Sequence, residues 1–281
     1  MAQLNAEEYI EQVYFFRALR ERIAENRSAQ DVLTGVTEEI LATTRLPYAI
    51  QFLATELKHS GLLASGFARL PHYFTPFQAF VVRQAEDEGL RFNMQVALLV
   101  LEREAEYRAK APTPAGLFFY EFETLSRNRL GYDAGLTAMA GDPLFDDDWR
   151  AFLEMVRRQG GEIDFAELIF LRSEVYDAEQ RRTQPDYAAP LPPLFGEREG
   201  RIAKANRRRD PLYLFAALQR QLGYPAVPRP QPRDDLAARL AALQQTLKEW
   251  EIRLKLLESE ARGHVDLSQF GKPELFKDED E

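Results

Sequence analysis

The sequence contains no cysteine. Disulfides, thiolate metal sites, iron–sulfur clusters and a cysteine nucleophile are therefore excluded. Histidine is nearly as scarce. His59, His72 and His264 fall on different predicted elements, none with a ligand-spaced partner, which leaves little for zinc or haem chemistry. Neither G-x-x-x-x-G-K-[ST] nor G-x-G-x-x-G occurs, so nucleotide binding through those loops is out. No stretch approaches the roughly 20 apolar residues of a membrane span. The richest run, 96–101, is cut short by Glu102, Arg103 and Glu104. The opening MAQLNAEEYIEQ lacks a basic start followed by an apolar core; no secretory signal is expected there, and a cytoplasmic address follows. Positive charge is also in deficit. With 36 basic and 45 acidic side chains the net charge is −9, which argues against nucleic acid as the partner of the whole surface.

What remains is a helical period. Apolar residues make up 45% of the 281 positions, enough to build a core. Tyr9, Val13, Phe16, Ile23 and Ala24 recur at three- and four-residue steps, with the stems of Arg17 and Arg20 on the border of the stripe. A helix is expected at about 29–43, with Val32, Leu33, Val36, Ile40 and Leu41 inward. Pro47 opens another and Gly61 ends it; Pro76 opens one more, and 92–110 reads as the last of six. Short loops between them favour antiparallel neighbours in a bundle spanning 1–111.

Pro112 and Pro114 mark the expected boundary to a second helical unit at 115–182. The proline run at 183–196 reads as an extended linker or a strap over the surface, and the run at 224–232 as a linker; they flank a basic and apolar helical segment at 197–223. A heptad helix follows at 233–263 and an acidic tail at 264–281. The heptad signal is the clearest in the chain. Leu236, Leu240, Leu243, Leu247, Trp250, Leu254, Leu257 and Ala261 step by four and three without a break. In a parallel pair Arg253 at a g position would face Glu258 at an e position of the other helix. Burying Leu240, Leu243, Leu247, Trp250 and Leu254 is worth about 1.5–3 kcal/mol each before ordering and association costs. The seam either recruits a second copy or a partner helix, or packs back on the chain's own bundle.

Three kinds of chemistry are testable by eye. The stretch 161–167 (GEIDFAE) resembles the second half of a calcium-binding loop, but Val156, Arg158 and Gly160 stand where oxygen ligands are needed. Asp146–Asp148 with Glu154 reads as an acidic helix start rather than a metal cluster. The basic run Arg198, Arg201, Lys204, Arg207, Arg208 and Arg209 has Arg201, Lys204 and Arg208 on one helix face. It is either an anion site, for a phosphate backbone, a membrane surface or an acidic protein, or a solvated face that pairs with its own carboxylates. No catalytic set, cofactor motif or metal-ligand set emerges.

The six-helix reading of about 10–110, and the stretch 60–92 within it, resemble the F domain of type II secretion and type IV pilus inner-membrane platform proteins. That family reads roughly G-x-x-L-S-x-A-L, then F-P, then G-E-x-S-G before a final helix. Here Ser60–Phe67 takes the first position, with Leu63 and Phe67 on apolar sites. Phe74–Thr75–Pro76 resembles the F-P element and Ala85–Gly89 the G-E-x-S-G turn. Phe15–Ile23 resembles the family's opening helix. Ala64 replaces the usual serine, Ala85 the usual glycine and Arg91 a common leucine, and the family's membrane helices are missing. The resemblance implies a helical bundle that docks on secretion or pilus assembly components beside the inner membrane and performs no reaction. The expectation is therefore an all-α, non-enzymatic adaptor with protein partners, self-association through 233–263, and anion binding through Arg198–Arg209 as the alternative.

Overall fold

The computed structural model describes residues 3–87, 89, 92–160, 163–230 and 236–261. Fourteen helices and no strand occur among them, so the expected all-α class holds. The chain divides into two compact units, 1–230 and 231–281.

The first six helices follow the sequence signals closely. They are α1 (Ala6–Ala24), α2 (Ala29–Thr37), α3 (Leu46–Ser60), α4 (Leu63–Arg69), α5 (Pro76–Glu86) and α6 (Met94–Ala109). Asn5, Ser28, Thr75 and Asn93 cap their helices through side-chain oxygens, each satisfying an N–H that has no partner within the helix. Thr75 and Gln78 close a reciprocal capping box ahead of α5. Gly61 ends α3 at φ +74, a conformation that favours glycine.

Helix α1 packs along α6. Their border carries a charged clamp in which Arg17 and Arg20 donate to the two oxygens of Glu102 at 2.7 and 3.2 Å. Beneath it Phe15, Phe16 and Leu19 are fully buried, and the rings of Phe16, Phe67 and Phe74 run in series. One expected element is shorter than the pattern suggests. Helix α2 stops at Thr37, the backbone turns, and Leu41 ends up exposed while Ile40 stays in the core.

No domain boundary falls at 111–115. Thr113 caps and Pro114 opens α7 (Pro114–Asn128) directly after α6. Helix α7 is buried on nearly every face, which a helix at the edge of a separate unit could not be. Its Tyr120 hydroxyl donates to the Val100 carbonyl at 2.7 Å. Gly116 allows the approach to α6, because a Cβ there would sit 2.0 Å from the Tyr107 hydroxyl. Around α7 gather α8 (Tyr132–Ala140), α9 (Asp147–Gln159), α10 (Phe165–Leu171), α11 (Glu174–Thr183), α12 (Glu197–Ala205) and α13 (Pro211–Leu222). Phe118 lies in ring contact with Phe119, Phe122, Trp149, Phe152, Phe165 and Phe195. A single apolar core runs from Leu4 to Val227. The 1–111 and 115–182 units of the sequence reading thus belong to one body.

Residues 191–196 and 224–230 lie as straps: the first is one of the two forms expected of its run, and the second departs from the expected linker. At 191–196 the chain docks on α10 and α11. The N–H groups of Leu194 and Phe195 donate to the Arg172 carbonyl at 2.8 and 3.1 Å, Glu174 N–H donates to the Phe195 carbonyl at 3.0 Å, and Phe195 is buried. At 224–230 the Tyr224 hydroxyl donates to Glu123 at 2.8 Å, Asn128 donates its amide to the Pro228 carbonyl at 3.1 Å, and Val227 is buried. Proline has no N–H to satisfy, so a proline-rich strand can lie in a groove without a ladder partner. The expected basic and apolar segment 197–223 is split into α12 and α13 by a turn in which Arg208 takes φ +58.

The second unit contains α14 (Leu236–Ala261), matching the heptad helix expected at 233–263. The acidic tail at 264–281, with His264, lies outside the described residues.

Candidate functional site

Helix α14 is built from good helix formers, chiefly Ala, Leu, Gln, Glu, Lys and Arg. Lys255 pairs with Glu251 one turn earlier at 3.0 Å. Its apolar seam faces water. Leu243, Leu247, Trp250, Leu254 and Leu257 are 55–67% exposed. Scattered apolar residues on a surface are ordinary, whereas these five are large and lie in one continuous stripe. Leu236 and Leu240 extend the register within the helix, and their side chains lie outside the described ones.

The basic segment is brought together differently from the stripe the spacing suggests. Arg201 pairs with Glu197, Lys204 with Glu179 at 2.5 Å, and Arg207 with Glu167 at 2.5 Å. The Arg207 guanidinium also stacks 3.8 Å from the centre of the Phe170 ring. Arg208 contributes its backbone N–H to Asp164 at 2.5 Å, while the side chains of Arg198, Arg208 and Arg209 are exposed. Between α11 and α12 this leaves a groove of about 500 Å³ whose charged lining alternates in sign: Glu174, Glu179 and Glu197 against Arg182, Arg201 and Lys204. An anion entering it would compete with Glu197 and Glu179, already seated on Arg201 and Lys204.

The acidic helix start is consumed locally. Asp146 caps α9 through Trp149 N–H at 2.9 Å, and Asp147 pairs with Arg150 at 2.8 Å. Glu154 pairs with Arg157 and Arg158, whose hydrogen bonds hold its carboxyl down at about 2. Asp164 caps α10 through Ala166 N–H at 3.1 Å; residues 161–162 of the calcium-like stretch lie outside the described ones. Among the described residues no group of three or more His, Asp or Glu side chains is placed to hold a metal.

Sequence reasoning missed the most unusual cluster. Arg108 is buried at the junction of α6, α7 and the turn after α8. It donates to Glu104 at 2.7 Å, Glu121 at 3.1 Å and Asp142 at 2.5 Å, and all four side chains are at most 1% exposed. Burial works to lower the Arg108 pKa, but the three carboxylates outweigh it and hold the guanidinium well above its ordinary value. Burial raises Glu104, partly offset by Arg108. It raises Glu121 much further, and the charges of Asp142 and Glu104 add to the effect. One signal was present: Leu101, Glu104 and Arg108 continue the inward stripe of α6 at three- and four-residue steps. Asp142 had none, because it arrives from a turn.

A partly enclosed cavity of about 440 Å³ lies among α7, α8, α9, α10 and α13, with Phe122, Tyr132, Phe165 and Phe215 among its walls. Arg157 at its edge is already paired with Glu154 and Asp133. The two stretches that carry the platform-domain resemblance also meet. Glu86 accepts from Leu63 N–H at 2.5 Å and Ala64 N–H at 3.0 Å, closing the start of α4.

Comparison with protein families, with curated proteins and with solved structures finds no match to this chain.

Proposed function

We propose that this chain is a non-enzymatic interaction protein, in which the 1–230 body serves as a folded platform and α14 as the docking element. The observation that carries this reading is the exposed seam Leu243, Leu247, Trp250, Leu254 and Leu257. A stripe of that kind gains free energy only when another apolar face covers it. In its more specific form, residues of about 10–110 within that body are a relative of the secretion and pilus platform F domain, with protein partners in such an assembly. The contact of Glu86 with the start of α4 supports that form, since it joins the two stretches on which the resemblance rests.

The anion-binding alternative gains less support, because Arg201, Lys204 and Arg207 are each seated on a carboxylate of the same body. The deciding experiment is a tagged pull-down from native lysate, run with the intact chain and with the Leu247→Asp, Leu254→Asp double variant. The docking reading expects bound protein to be lost in the variant while the body keeps its melting temperature. Equal capture by both forms would place docking elsewhere. Capture that falls steeply with moderate salt and is indifferent to the seam would favour Arg198–Arg209 instead.

A further inference from the structure

The position of Trp250 in the seam restricts what can cover it. In heptad register Leu240, Leu247 and Leu254 are a positions, and Leu243, Trp250 and Leu257 are d positions. A parallel pair of identical helices stacks like upon like. Leu243 meets Leu243, Leu247 meets Leu247, and Trp250 meets Trp250. Two indoles would then share a layer flanked on both sides by layers of two leucines. Helices that pack 8–10 Å apart cannot close over both at once without strain or voids. An antiparallel pair crosses the layers instead, setting a positions of one helix against d positions of the other. With the two-fold axis between residues 248 and 249, Trp250 meets Leu247 of the second copy and Leu243 meets Leu254 of the second copy, each twice. Layer volumes become nearly uniform along the seam.

The flanking positions accept this arrangement. Gln244 comes beside Glu251 of the second copy, and Thr246 beside its Arg253, so no like charges are forced together. The Arg253–Glu258 pairing available to a parallel dimer is a single exposed ion-pair type, weak beside a mismatch in a buried layer. A two-fold pairing is also self-complementary and closes at two chains.

We propose that the occupant of the α14 seam is α14 of a second copy of this chain, running antiparallel. This rests on the docking reading above and names its partner. It also reverses the parallel register that the single charge pair suggests.

The absence of cysteine makes the test direct, since every disulfide formed reports an introduced residue. Full-length chains carrying Leu243→Cys and chains carrying Leu254→Cys are oxidised separately and as a mixture, and the intact chain is weighed by sedimentation equilibrium. The proposal expects a dimer mass, a disulfide-linked heterodimer from the mixture, and no linked product from either variant alone. Linkage of either variant to itself would overturn the orientation, and a trimer or larger mass would overturn the two-fold pairing. A monomer at all concentrations would overturn the second copy as occupant. In that case Trp149→Phe leaves Trp250 as the lone tryptophan, and iodide quenching separates the two claims. Accessible Trp250 retains the docking reading with a different partner; shielded Trp250 ends both.

Discussion

At the scale of single residues, the buried Arg108 is the most exposed to challenge by mutation. Its guanidinium is bonded to Glu104, Glu121 and Asp142. Removing a buried partner leaves uncompensated charge, which typically costs about 3–5 kcal/mol. Arg108→Leu is therefore expected to lower the urea midpoint sharply, and a loss below about 1 kcal/mol in equilibrium unfolding would show that the carboxylates find other partners. The same cluster sets a pH dependence. Glu121 is raised well above its ordinary 4.5 in the folded chain. The folded state therefore keeps a proton that the unfolded state has released. The stabilisation is full below about 4.5 and is lost as pH rises through the elevated folded value. Glu121→Gln keeps the shape and cannot ionise. Its unfolding free energy should fall less steeply with rising pH than that of the parent, and equal slopes would remove Glu121 from the linkage.

At the scale of elements, the chain's punctuation was readable and its second strap was not. Pro47, Gly61 and Pro76 act locally, so their positions fixed where α3 and α5 begin and where α3 stops. The proline runs at 183–196 and 224–232 have the composition of linkers, and nothing local distinguishes a free extended segment from one laid in a groove. What holds the second run is remote in sequence: Tyr224 reaches Glu123, and Pro228 is met by Asn128. Tyr224→Phe should cost about 1–2 kcal/mol by removing a hydrogen bond to a buried carboxylate. It should also speed amide exchange along 224–230. Unchanged exchange there would mean that Val227 and the prolines hold the strap unaided. The basic run illustrates the same limit. Its residues were visible, but their partners Glu167 and Glu179 lie on other helices.

At the scale of the whole molecule, the number of helices in the first 110 residues was legible, and the number of folding units was not. Periodicity reports which face of a helix is apolar, but not which helix covers it. Two covers matter here. Helix α7 is buried nearly all round, and Arg108 of α6 draws two of its three carboxylates from beyond residue 111. A chain ending at Ala111 would therefore leave Arg108 short of Glu121 and Asp142, with the α6 face that meets Tyr120 open to water. It should melt without cooperativity, whereas a chain ending at Pro230 should show a single sharp transition in calorimetry. A cooperative melt of the shorter chain would restore the bundle as an independent domain. In the heptad helix the opposite holds: the seam was fully legible because a strict repeat in one helix is a local property, while its exposure could be read only from the structure.

The central claim is that a second copy of this chain covers the α14 seam and that the seam takes no part in holding the body together. Sedimentation velocity of the intact chain beside the Leu247→Asp, Leu254→Asp variant tests this most directly. The expected result is an associated species for the intact chain and a compact, folded monomer for the variant. Identical sedimentation of the two, or an expanded and aggregating variant, would contradict it.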